Sequence, residues 1–470
     1  MRIKTLSLQV QFCNVRNQFY TDMEIYNTLN KIAKALTAIL TVMVINSCIG
    51  KDSGYVFPDW DSDPAPQGNR EHTQLKRHTF IVFSLGHNNL SSELKEDIKE
   101  LKQGLVPGNG TDDDVLLVFS HSKYSQSTDP RNAPLLQRIY RLPDGQTICD
   151  TLKEWSLSTI SADPATISEV FDYIVKEFPS ANYGALFSSH ATGYLPAGFY
   201  SKPDNYIFPG DNQPLYRSGR PRGVPYVEIP RQENEPMVKS LGQDVQGSLS
   251  YEIEIQDFAN AIPIKLSYML FDACFMGGIE VAYELKDKCD MIGFSQTEVL
   301  SNGFLYTQLG NHIFGNDGPS PEKVCEDYFN SYDIQTGVYR SATISMVDCN
   351  RLEPLAQVCN RLFDKYRNTL DALDPTIIQR YYRYKYHWFY DLQSIVENLG
   401  ATQEEVDEFM RALDDCIIYK GATPSFLEGA SGFKIDTFSG LSMYLPSDGH
   451  TELSKYYKTL QWNKITGLVR

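Results

Sequence analysis

Residues 79–85, T-F-I-V-F-S-L, form an unbroken apolar run, the pattern of a strand covered on both faces. Asn88 and Asn89 follow and open a helix whose apolar stripe is Leu90, Leu94, Ile98 and Leu101. A second buried strand is predicted over 115–120, V-L-L-V-F-S, and an amphipathic helix over 165–178, with Ile167, Val170, Phe171, Ile174 and Val175 apolar. A third strand, 184–189, ends at His190. A helix over 251–261 precedes a fourth strand, 267–271, which ends just before Cys274. Another helix is predicted over 278–285, then short strands over 291–294 and 342–347. Beyond these the chain reads as mostly helical, with a tyrosine-rich patch at 381–390. No internal repeat is visible.

Strands alternating with helices predict an α/β fold: a mostly parallel sheet flanked by helices, with a helical C-terminal portion. Active sites of such sheets collect beyond the carboxyl ends of the strands, where His190 and Cys274 fall. Residues 194–250 break the alternation. They are rich in Pro, Gly, Tyr and Arg, and a loop of that length in a compact domain is usually functional.

The first 75 residues are of another kind. Lys31 and Lys34 precede an apolar run over 35–45 that is too short to span a bilayer, which reads as a signal peptide. Ile45-Asn46-Ser47-Cys48 follows and resembles the bacterial lipobox, in which the cysteine is lipidated and becomes the mature N-terminus. Residues 1–47 are therefore assigned to the signal region, with Met23 the natural start of such a leader. Residues 48–75, rich in Asp, Pro, Gly and Ser, are assigned to the lipidated cysteine and a flexible tether. The expected location is a bacterial cell envelope, periplasmic or surface-facing, with membrane contact through the lipid.

Composition narrows the function only a little. The chain has 470 residues, 42% hydrophobic and 22% charged, enough for one large core or two ordinary ones. A net charge of −16 excludes nucleic acid as a partner and suits cationic substrates. The nine cysteines show no C-x-x-C spacing and no His-x-x-x-His companion, so neither a structural zinc site nor a disulfide scaffold is expected. Asp112-Asp113-Asp114 lacks EF-hand spacing and reads as an acidic loop tip.

A thiol attacks only as thiolate, so a nucleophilic cysteine needs a helix N-terminus, a histidine or both. Cys274 leaves a strand and is followed by Gly277-Gly278 and a helix; His190 supplies an acid–base group if its strand is the neighbour. The N–H groups of Cys274 and Ala191 are the candidate oxyanion hole.

Two segments carry a resemblance. Residues 184–193 read G-A-L-F-S-S-H-A-T-G, and residues 271–285 read F-D-A-C-F-M-G-G-I-E-V-A-Y-E-L. Together they resemble the clostripain family of cysteine peptidases, relatives of caspases, gingipains and legumain with a caspase-like fold. The resemblance spans about residues 77–465, so a peptidase domain over 76–465, with the long insert at 194–250, is expected. It implies that His190 is the catalytic histidine, Cys274 the nucleophile, and Asp272 a wall of a pocket selecting Arg or Lys before the scissile bond. It also implies protein or peptide substrates, calcium as an optional ligand with no other cofactor required, and self-cleavage within the insert, where Arg217, Arg220, Arg222, Arg231 and Lys239 are candidates. Two departures stand out. The family's glycine after the histidine is here Ala191, where a positive φ would be strained. Its later acidic turn residue is replaced within Ser301-Asn302-Gly303-Phe304. Asp272 has an alternative role as a turn-capping carboxylate. Competing readings of the whole chain are a non-catalytic surface lipoprotein that binds peptides or a partner, and a thiol-dependent hydrolase or transferase that is not proteolytic.

Overall fold

The computed structural model describes residues 76–109, 114–208, 216–217, 220–221, 223–225, 244–383, 387–429 and 431–470. The leader, Cys48 and the tether lie outside them.

The predicted apolar runs become the centre of a nine-stranded sheet. In chain order its strands are β1 (Lys76–Gly86), β2 (Asp114–Ser122), β3 (Leu135–Arg141), β4 (Thr147–Glu154), β5 (Ser180–Ser188), β6 (Leu266–Asp272), β7 (Cys289–Phe294), β8 (Thr343–Asp348) and β9 (Ile417–Ala422). In space they run β9-β8-β7-β6-β5-β1-β2-β3-β4. The inner five, β7 to β2, pair in parallel; β8 and β9 on one flank and β3 and β4 on the other are antiparallel.

Alternation along the strands sorts side chains onto two faces. Phe83, Phe119, Phe187 and Phe271 line one face, with Phe83 against Phe187 at 4.7 Å and Phe187 against Phe271 at 5.4 Å between ring centroids. Helices α2 (Pro164–Glu177) and α3 (Ile255–Ala261) bring Phe171 and Phe258 onto these rings. Asp163 caps α2 by accepting from the Ala165 N–H, with Pro164 in the first turn. On the opposite face Phe80 and Tyr268 stack with centroids 6.1 Å apart. The Tyr268 ring occupies the place a Cβ at Gly184 would take, so that strand position requires glycine. Helix α1 (Ser91–Gln103) packs against α5 (Tyr306–Ile313), which packs in turn on α6 (Pro321–Asp333).

Sheet pairs β3 and β4 and edge strand β9 were not predicted. They are only partly buried and carry charged residues such as Arg141, Lys153, Glu154 and Lys420 at their more accessible positions, so no continuous apolar run marks them. Pro143-Asp144-Gly145, with Gly145 at φ 92°, is the turn signal that joins β3 to β4. Within the insert, Gly223–Pro225, Leu249–Tyr251 and Asp244–Gln246 form a small antiparallel sheet.

Candidate active site

Register assembles the site. Strands β5 and β6 pair with Asp272 opposite Ser188. His190 and Cys274 each stand two residues beyond that last pair, at the carboxyl ends of neighbouring parallel strands. Neighbouring strands are about 4.8 Å apart, so the sheet brings together two residues that the sequence separates by the whole insert.

The chain turns sharply after Cys274. Phe275 has φ 59°, a left-handed conformation that a bulky side chain adopts only when its surroundings impose it. Those surroundings are a flat stack on Phe389, centroids 4.6 Å apart, an edge contact with Tyr382, and hydrogen bonds from Phe275 N–H to the Thr297 carbonyl and from Gly277 N–H to the Ser295 carbonyl. Ala191 does not have a positive φ, so the substitution of the family's glycine brings no such strain; φ is positive at Gly193, where a side chain would collide with the Phe275 carbonyl. The two loops therefore touch.

The Cys274 side chain is wholly buried, and its sulfur accepts from the Val299 N–H at 3.1 Å. Helix α4 (Ile279–Leu285) begins five residues on, and the Val299 N–H bonded to the sulfur belongs to the segment after β7. That segment is unusual. Ser295, Gln296, Thr297 and Glu298 are all buried, and each is tied to its surroundings: Ser295 and Thr297 to Thr343, Gln296 through its Nε2 to Ser345 and the Gly440 carbonyl, Glu298 to Arg383 at 2.7 Å. The Arg383–Glu298 pair is 2% exposed on both sides. This polar strip holds the backbone behind the nucleophile candidate.

His190 Nε2 lies 2.6 Å from Asn89 Oδ1. An amide oxygen only accepts, so the neutral imidazole carries its proton on Nε2 and keeps Nδ1 as the basic nitrogen. Asn89 sits just before α1 in a loop whose start is fixed by Asn88, whose Oδ1 accepts from the Leu90 N–H. Asn89 was not picked out as a site residue; its place after β1, the strand beside β5, was the available signal. His190 and Ala191 border a cavity of about 90 Å³ walled by Leu85, Phe187, Phe258, Phe271 and Met276.

Asp272 points to the opposite face from Phe271 and is 1% exposed. Tyr306 Oη donates to its Oδ2 at 2.8 Å and Ser188 Oγ at 3.3 Å. Both of these donors are side-chain hydroxyls. Of the other predicted residues, Asp114 pairs with Arg77, while Asp112 and Asp113 lie outside the described residues. Among the described residues no group of three or more His, Cys, Asp or Glu is placed to hold a metal ion, and no helix is long and apolar enough to cross a membrane. Arg217 and Arg220 fall in a two-residue strand pair, and Arg222, Arg231 and Lys239 lie outside the described residues.

The sheet and its flanking helices are those of a caspase-like cysteine peptidase fold. The chain belongs to the clostripain family, whose model (Peptidase C11) matches residues 229–467, more than half of its length. Among solved structures it is similar to an inactive zymogen C11 protease from Parabacteroides distasonis, at 26% identity and TM-score 0.66, covering 84% of this chain and 99% of that one. It shares its fold with a secreted C11 cysteine protease from Bacteroides thetaiotaomicron, iotapain, at 22% identity and TM-score 0.66, with 84% and 99% coverage. The same holds for a secreted C11 cysteine protease of that organism in complex with an irreversible peptide inhibitor, at 20% identity and TM-score 0.65, with 83% and 98% coverage. No curated protein sequence matches the chain.

Proposed function

We propose that the protein is an exported, lipid-anchored endopeptidase that cleaves after Arg or Lys through a Cys274–His190 dyad. The register that sets both residues two positions past the Ser188–Asp272 pair carries the reading. Cys274 attacks the scissile carbonyl as thiolate. The N–H groups of Cys274 and Ala191 receive the developing oxyanion, and His190 protonates the leaving amine and then deprotonates the water that releases the acyl group. Asp272, a buried carboxylate held by neutral hydroxyls, gains most from a substrate cation, which favours a basic side chain before the cut. Cys48 carries the lipid, and calcium is an optional ligand.

Full burial of Cys274 in the uncut chain supports synthesis as a latent precursor, with cleavage in the 194–250 insert, at one of Arg217, Arg220, Arg222, Arg231 or Lys239, as the releasing step. The same burial favours a second reading, a non-catalytic surface lipoprotein that retains the fold and binds peptides or a partner. Residues 49–470 and their Cys274→Ala variant, incubated with fluorogenic peptides ending in Arg, Lys, Asn, Asp or Leu, separate the two. Cleavage after Arg or Lys that the variant lacks supports the peptidase. Silence on every peptide, even after limited trypsin treatment, supports the binding protein.

A further inference from the structure

Cys289 opens β7 and Cys349 directly follows β8, its antiparallel neighbour. Their sulfurs are 3.6 Å apart, both thiols are free in this structure, and both side chains are buried. We propose that Cys289 and Cys349 are a disulfide site, joined when the exported protein folds. The inference rests on the reading that the chain leaves the cytosol, where thiols are kept reduced, and is independent of the peptidase assignment.

The geometry needs little change. Residues at or beside opposed positions of an antiparallel pair lie within the roughly 4.4–6.8 Å Cα separation that a disulfide spans. Bonded sulfurs are about 2.05 Å apart, and rotation about χ1 carries a sulfur through more than the difference. The flanking residues are polar and partly exposed: Lys265 Nζ lies 2.7 Å from Asp290 Oδ1 and 3.1 Å from Asn350 Oδ1.

The oxidant is a small-molecule or protein disulfide, R–S–S–R. The Cys349 thiolate attacks one of its sulfurs and expels R–S⁻. The Cys289 thiolate then attacks the Cys349 sulfur of the mixed disulfide and expels the second R–S⁻. The two cysteines lose two protons and two electrons, and the oxidant leaves as two R–SH. Burial holds the Cys289 thiol well above its ordinary value in the folded protein, so the exchange belongs to folding, before β7 and β8 close over the pair. Once made, the bond is shielded from reductant by the same burial. It closes a span of 60 residues, including the Ser295–Val299 strip behind Cys274.

The test uses the full chain exported by its own leader, denatured in iodoacetamide with or without prior reduction, then digested and mapped by mass. The expected result is that, without reduction, Cys289 and Cys349 escape alkylation and their peptides appear joined. After reduction both are alkylated, while Cys325 and Cys359, equally buried, are alkylated in either sample. Alkylation of both cysteines without reduction overturns the site as it operates in the cell. Refolding purified, reduced protein in glutathione–glutathione disulfide buffer shows which premise failed. Closure there but not in the cell removes the export premise, and no closure in either removes the pairing. Reduction should also lower the melting temperature of wild type by several degrees and leave Cys349→Ala unmoved. Equal responses overturn the restraint.

Discussion

Asn89 Oδ1 lies 2.6 Å from His190 Nε2. If it fixes the His190 tautomer, Asn89→Ala lowers kcat about 10–100-fold, part of the ~10²–10⁴ that acid–base catalysis contributes, with KM little changed. Steady-state kinetics on an Arg peptide check this, and an unchanged kcat removes Asn89 from the machinery. Asp272→Asn separates pocket from scaffold: cleavage after Arg should fall by about 100-fold while the melting temperature holds or rises, since a buried charge is removed. A collapse in melting temperature with intact specificity would make Asp272 structural. The placement of His190 and Cys274 at neighbouring strand ends was legible because both follow apolar runs. Asn89, Tyr306 and Val299 were not, because their roles come from contacts across 101, 34 and 25 residues of chain.

At the scale of elements, the inner parallel strands were legible because burial on both faces writes a continuous apolar run. The flanking strands were not, because one exposed face admits charges and dilutes the signal. The strip Ser295–Glu298 misleads in the other direction: four polar residues in a row suggest a surface loop, yet all are buried. Its stability hangs on the Arg383–Glu298 pair. Arg383→Met strands a buried carboxylate and should cost ~3–5 kcal/mol, read as a lower denaturation midpoint. Adding Glu298→Gln should restore most of the loss. If the single variant is as stable as wild type, the pair contributes nothing net.

Over the whole molecule, β5 and β6 flank the insert in sequence yet pair side by side in the sheet. Asp244, at the far end of the insert, is also tied to the core: it accepts from the Ser161 hydroxyl at 2.8 Å and from the Ser161 N–H, and lies 3.3 Å from His121. A chain cut between them should therefore give two bands on a denaturing gel but one peak in native gel filtration. Two native peaks would show that the insert, not the sheet, holds the halves together.

Stability should also depend on pH. Glu254 accepts from Ala197 N–H and Tyr456 Oη, and Glu280 from Tyr444 N–H and Tyr457 Oη, all deep inside. Burial pushes both carboxyls up to about 7. Between their unfolded value of 4.5 and that point the folded chain binds the extra protons, so their contribution is full below 4.5 and is lost as pH rises to 7. Burial pushes the Asp244 carboxyl up, but His121, Ser161 and His87 together outweigh it and hold it below its ordinary value, so it works in the opposite direction at lower pH. Glu280→Gln should flatten the fall in melting temperature between pH 5 and about 7.5. An unchanged slope would mean that Glu280 titrates normally.

We propose Cys274 as the nucleophile. The most direct test treats the processed protein with a peptidyl acyloxymethyl ketone ending in Arg, then reads intact mass and maps the adduct. One adduct, on Cys274, that disappears in Cys274→Ala is the predicted result. An adduct on another cysteine, or cleavage of Arg peptides that persists in Cys274→Ala, would contradict it.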